Sequence, residues 1–171
     1  MTVTEAVPRP LSPRDARLAP WKAFLEAHAR VSRRLDEELR AEHDLSLAEY
    51  DTLLAIAWSP DRRIRMRTLA DSILLSKSGV TRLIDRLVAD GLVERDTCLE
   101  DARGAEAVLT PAGLDRLRVA SSTHLRGIQS HFLGVVDGDD LPTVERAMQA
   151  VAERACNAPV PSIEPAGDDA S

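Results

Sequence analysis

The segment from Asp101 to Gly113 narrows what this chain can fold into more than any other stretch. It opens on a tip of the form Asp-x-Arg, Asp101 to Arg103, and runs into a short strand, Ala105 to Leu109. Thr110 and Pro111 then start a new helix, because threonine caps a helix well and proline suits its first turn. Just upstream, Ser76 to Gly91 has helical spacing and Leu92 to Asp96 is strand-like. The resulting order is helix, strand, basic hairpin tip, strand, helix.

A chain in that order has the outline of a winged helix-turn-helix, in which one helix enters a DNA major groove beside a basic wing. The rest of the pattern is helical. Trp21, Phe24, Leu25, His28, Val31, Leu35 and Leu39 share one face of a first helix that ends near His43. Ser46 and Glu49 form a capping box with Leu45 and Tyr50 as its staple, so a second helix runs from about 47 to 58. Ser59-Pro60-Asp61 stops it, Ile64 and Arg65 make a minimal strand, and a third helix covers about 67–74 with Leu69, Ala70 and Ile73 inward. Ser76 caps the fourth helix, with Leu75 and Val80 as staple. Val80, Leu83, Ile84, Leu87 and Val88 form its buried face, and Gly91 suits the residue after its end. The wing occupies 92–110. A long helix over about 111–134 carries Leu114, Leu117, Leu125, Ile128 and Phe132, and a last one from about Leu141 to Cys156 carries Val144, Met148 and Val151.

The fold class expected is therefore mainly α: a winged helix-turn-helix with long N- and C-terminal dimerisation helices. Residues 1–19, with three prolines, read as an arm, and 20–157 as the winged-helix domain. Within that domain the DNA-binding lobe spans about 45–110, flanked by helices at about 20–43 and 111–156. The Pro-rich, acidic tail at 158–171 is expected to be disordered. The outer helices keep apolar stripes that the lobe does not use, and a second copy of the chain is the simplest cover for them.

Charge refines this picture. The net charge is −6, but Arg62, Arg63, Arg65 and Arg67 cluster, as do Lys77, Arg82 and Arg86 on the fourth helix. Local sign governs approach to DNA more than the total does. Only Lys22 and Lys77 are lysine, a bias that points to base composition of the genome rather than to function. The cysteines Cys98 and Cys156 make no disulfide framework, no apolar run is long enough for a membrane span, and no signal peptide is evident. A reducing, cytoplasmic location follows as the expectation.

The chain resembles the MarR family of bacterial transcriptional regulators over roughly 20–155. The most specific piece is Asp101-x-Arg103 followed by Leu109-Thr110-x-x-Gly113, with Leu69-Ala70, Ser78 to Leu87, and Gly91 to Arg95 in support. The resemblance implies a triangular homodimer joined through its first and last helices and bound to pseudo-palindromic operator DNA. Many relatives are repressors released by small phenolic or other aromatic ligands, and some are thiol sensors.

Candidate DNA contacts follow. Arg103 at the wing tip suits the strongly negative minor groove, and Asp101 is read as wing support that orients a nearby arginine. Ser76, Lys77, Ser78, Thr81, Arg82 and Arg86 form the outward face of the fourth helix. Arg82 is the best base reader, since a guanidinium matches guanine in two hydrogen bonds, and Lys77 is a phosphate contact. Arg65 and Arg95 would add backbone contacts. Each alone has the alternative of a solvated surface residue.

For an effector, Arg17, Trp21, His28 and Trp58 are the candidates: two indole walls, an imidazole and a guanidinium for an aromatic carboxylate. The competing reading makes the tryptophans packing residues and His28 a satisfied buried histidine. No metal site is expected, because His43, His124 and His131 lack partners at ligand spacing. No cofactor is implied, and the absence of a nucleophile–base pair or a phosphate-cradling loop argues against an enzyme. Two alternatives remain open: a winged-helix module that binds protein, and a thiol-responsive regulator using Cys98, although thiol-sensing relatives carry the reactive cysteine earlier in the chain.

Overall fold

The computed structural model describes residues 12–72, 77–97 and 105–157, and the side chains of Ser72, Lys77, Thr97 and Asn157 are not among them. The chain falls into two compact units, Met1–Phe132 and Leu133–Ser171. In the first, α1 (Ala19–His43) is followed by α2 (Leu47–Trp58), β1 (Arg63–Arg65), α3 (Met66–Ser72) and α4 (Lys77–Ala89). The strands β2 (Val93–Thr97) and β3 (Ala105–Leu109) then lead into α5 (Pro111–Ile128). The second unit holds α6 (Leu141–Asn157).

Local chemistry accounts for these boundaries. Asp44 ends α1 in the left-handed region at φ 48°, which aspartate tolerates better than most residues. The Ser46 hydroxyl accepts from the Glu49 amide while the Glu49 side chain accepts from the Ser46 amide, so the capping box of α2 is complete. Gly91 follows α4 at φ 70°, a conformation that favours glycine. Thr110 caps α5, accepting from the Gly113 amide at 2.9 Å and donating to the Gly91 carbonyl at 2.8 Å.

The sheet has the order β1-β3-β2, antiparallel throughout. Glu106 and Asp96 face each other across β3 and β2, a like-charged pair that repels when bare. Arg63 on β1 resolves this by reaching Glu106 at 3.1 Å and Asp96 at 3.3 Å, so one guanidinium joins all three strands. Arg63 is thereby committed to the base of the wing.

The core lies where the helices meet this sheet. Leu39, Leu53, Ile56, Leu69, Ile84 and Leu87 are wholly buried, joined by Val80, Val93, Ala107 and Ala120. Truncating any of these leucines to alanine removes contacts worth ~2–5 kcal/mol. The face expected for α4 holds except at Val88, which is 38% exposed, because it sits at the edge of the buried arc. On α5 the inward residues are Leu117, Ala120, Thr123 and Gly127, whereas Leu125 and Phe132 are exposed. The long helix expected to about 134 stays regular to Ile128 and then widens into a π-turn over Gln129–Leu133.

Side chains from α1 and α5 also meet in a polar seam. His43 Nε2 lies 2.8 Å from Thr123 Oγ1, the Thr123 hydroxyl donates to Glu42, and Arg116 donates to the His43 carbonyl at 2.7 Å. His131 pairs with Glu38 at 2.7 Å. His124 instead packs against Tyr50 in a tilted ring pair with centroids 4.3 Å apart, and its buried Nδ1 has no partner among the described residues. Burial holds the His124 imidazole below its ordinary value of 6.5. As pH falls through 6.5 the unfolded chain takes up a proton that the folded ring resists, so His124 makes stability decline on that side. His124→Phe keeps the ring on Tyr50 and removes the titration. Urea melts at pH 8 and pH 5.5 should therefore show a smaller acid loss than wild type; an equal loss would place the effect elsewhere.

Candidate nucleic-acid interface

The two faces of α4 divide cleanly. Val80, Leu83, Ile84 and Leu87 seat it on the core, and Ser78, Thr81, Arg82, Asp85 and Arg86 are exposed. Among the described residues Arg82 has no ion-pair partner, and its side chain is exposed near the middle of the helix. Lys77 is the first residue of α4, with its side chain outside the described set. Ser76, Asp101, Arg103 and Cys98 all lie outside the described residues.

Two of the other expected contacts are engaged within the lobe. Arg86 donates from Nε to Glu49 Oε1 at 3.1 Å. Arg95 on β2 pairs with Asp85 at 2.7 Å and donates to the Thr81 carbonyl at 3.3 Å. Arg65 is exposed on the edge strand β1.

A helix with a buried apolar face and an outward polar face, preceded by α3 and followed by a strand pair, is the arrangement that reads a major groove. Residues 43–104 match the model of the MarR family. AbsC, a MarR family transcriptional regulator from Streptomyces coelicolor, is similar at 29% identity and a TM-score of 0.78, over 88% of this chain and 100% of that one. Sco3205, a MarR family regulator from the same organism solved in complex with DNA, is similar at 28% identity and a TM-score of 0.77, over 86% of this chain and 91% of that one. The chain shares the winged-helix fold of the MarR family regulators. It is a DNA-binding transcriptional regulator of the winged-helix type. The fold is shared further with BpsR of Bordetella bronchiseptica, whose DNA binding is regulated by 6-hydroxynicotinic acid, at 16% identity and a TM-score of 0.69, over 78% of this chain and 98% of that one. No match is found among curated proteins.

The effector candidates are only partly brought together. Trp21 stacks on Phe24 with centroids 5.9 Å apart, and Phe24 lies 6.2 Å from His28, making an aromatic run along one side of α1. Trp21 is 54% exposed and His28 is also exposed, which overturns the reading of His28 as a buried histidine. Arg17 precedes the run but is bound to Asp15, which caps the short turn Ala16–Leu18 and is held ionised by that pairing. Trp58 ends α2 at 80% exposure, in none of these ring contacts, so it is not core packing either. Phe24 is the member that the sequence reading left out of the set; its i+3 spacing from Trp21 was the available signal.

A cleft of about 770 Å³ opens elsewhere, between the end of α1, the turn after α4 and the start of α5. Glu42, Asp44, Asp90 and Asp115 line it, against Arg40 and Arg116. Such a surplus of carboxylates repels an aromatic acid. Among the described residues no group of three or more His, Cys, Asp or Glu is placed to hold a metal ion, and no helix is long and apolar enough to cross a membrane.

Proposed function

We propose that this chain is a homodimeric repressor that binds pseudo-palindromic operator DNA and is released by a small aromatic ligand. The observation that carries the reading is the outward face of α4, polar and basic, opposite a side buried at Val80, Leu83, Ile84 and Leu87. In this reading Ser76, Ser78, Thr81 and Arg82 address bases and nearby phosphates, Lys77 and Arg65 hold the backbone, and Arg103, oriented by Asp101, enters the minor groove. Arg86 and Arg95 lie at the same surface.

Dimerisation is supported by what α1 leaves uncovered. Trp21, Phe24 and Leu25 are exposed on one face of its N-terminal half, and on α6 Met148 and Val151 are exposed in the same way. A second copy covering these faces would set two recognition helices about one helical turn of DNA apart. The effector site proposed is the run Trp21, Phe24 and His28 with Arg17 at its head, closed over by the partner. BpsR answers to an aromatic acid, a precedent of chemistry for such a site. To relieve repression the ligand must favour the state in which the two recognition helices no longer match the operator spacing.

Titration of the protein against the DNA upstream of its own gene, at two salt concentrations and with unrelated competitor, tests this reading. Tight binding that survives competitor and weakens with salt is the expected result, followed by release on adding aromatic carboxylic acids. Release unaffected by Trp21→Ala would move the effector site away from α1, and a monomer in sedimentation would overturn the dimer.

A further inference from the structure

Arg86 sits in the last turn of α4, whereas base contacts come from the first turns of a recognition helix. Its partner Glu49 is 37 residues away at the start of α2, and the two oxygens of that carboxylate do different work. Oε2 accepts from the Ser46 amide at 2.9 Å and from the Ser46 hydroxyl at 2.7 Å, closing the cap. Oε1 accepts from Arg86 Nε at 3.1 Å. The Glu49 side chain is only 14% exposed, against 61% for Arg86. Burial pushes the Glu49 carboxyl up, but the Ser46 amide and hydroxyl and the Arg86 guanidinium outweigh it and hold the group below its ordinary value. It is therefore ionised at neutral pH, and pulling Arg86 away to a phosphate would leave a largely buried carboxylate short of its counter-charge.

The contact continues past α2. The Leu47 amide donates to Asp36 Oδ1 at 2.8 Å, and Asp36 Oδ2 accepts from Arg40 at 2.7 Å, so the start of α2 is tied in turn to α1. On its other side α4 is tied to β2 through Arg95 and Asp85.

We propose that Glu49 and Arg86 are positioning residues that set the orientation of α4 on DNA, with Arg86 acting through Glu49 and not through a phosphate. The proposal rests on α4 being the recognition helix of the reading above.

The test uses the full chain and a duplex that the wild-type protein selects from a random-sequence pool. Four proteins are compared: wild type, Glu49→Gln, Arg86→Gln and the double variant. Glutamine still closes a capping box, with its one oxygen toward Ser46, which leaves its amide NH2 facing Arg86. The cap survives and only the bridge is lost. Each single variant should weaken binding to the selected duplex by about 2–5-fold and leave binding to an unrelated duplex unchanged. The double variant should be no weaker than either single one. The slope of log affinity against log salt should match wild type in all four. A slope reduced by about one in Arg86→Gln, with Glu49→Gln like wild type, would make Arg86 a phosphate contact and overturn the proposal. So would wild-type affinity in both singles, or equal loss on both duplexes. A pool from which the wild-type protein enriches no sequence would sink the DNA reading itself, and is seen before any variant is made.

Discussion

Gly113→Ala should lower the melting temperature by roughly 10 °C. A methyl group on residue 113 would overlap the backbone carbonyl oxygen of Leu92 and lie 2.8 Å from Leu109 Cδ1. The carbonyl cannot step aside. It accepts from the Thr110 amide at 3.1 Å, and the adjacent Gly91 carbonyl accepts from the Thr110 hydroxyl at 2.8 Å. The Gly113 amide itself donates to Thr110 Oγ1. Threonine and glycine three residues apart thus form one joint: the threonine stitches the first turn of α5 to the residues before β2, and the glycine lets the two backbones touch. Relief requires α5 to lift from its seat on Leu92 and Leu109, both buried. Overpacking of this kind costs about 3 kcal/mol, and each kcal/mol moves the melting point of a chain this size by ~3 °C. The control is Gly138→Ala, where an added Cβ meets nothing within 4 Å and the melt should not move. A Gly113→Ala protein that melts within a degree or two of wild type would show the joint to be soft.

Arg82→Ala should lower affinity for the operator about 10–100-fold with no change in melting temperature or oligomeric state. The size follows from a bidentate arginine–guanine pair, worth ~1–3 kcal/mol of discrimination. The fold is spared because the side chain is exposed over a helix seated by Leu83, Ile84 and Leu87. The loss should fall on the operator and leave unrelated DNA nearly untouched, since a base reader contributes little where its base is absent. Lys77→Ala is the contrast: it should weaken both duplexes alike and reduce the salt slope by about one. If Arg82→Ala behaves like Lys77→Ala, Arg82 grips the backbone and sequence is read elsewhere.

The elements were legible where short-range chemistry marks them. Ser46 with Glu49 at one end and Ser59-Pro60 at the other bound α2 to the residue, and Thr110-Pro111 marked the start of α5. The strand pair was legible from its place on either side of the Asp101-x-Arg103 tip, between one helix and the next. The far end of this helical run, at Leu133, was legible, but its widening into a π-turn over Gln129–Leu133 was not, because the apolar spacing continues through it unbroken. The outward face of α4 was legible as a face, since helical periodicity sorts residues by side. What periodicity cannot sort is which charges on that face are already satisfied. Arg82, Arg86 and Arg95 look alike as letters. Arg86 meets a carboxylate from α2 and Arg95 one from α4, and neither pairing is visible without the fold. Glu49 was legible as a cap and nothing more, because its second oxygen serves a helix that begins 28 residues later.

The joint at Thr110 and Gly113 gives α5 the mechanics of a lever. Its 18 residues make a rod about 27 Å long, fixed at one end to the base of the wing. A fixed end cannot slide, so movement imposed on the far end reaches the lobe as rotation. A tilt of about 5° corresponds to about 2 Å of travel at the far end of a rod that long. Small displacements beside Gln129 therefore become angular changes at Leu92, the residue that leads directly into the wing.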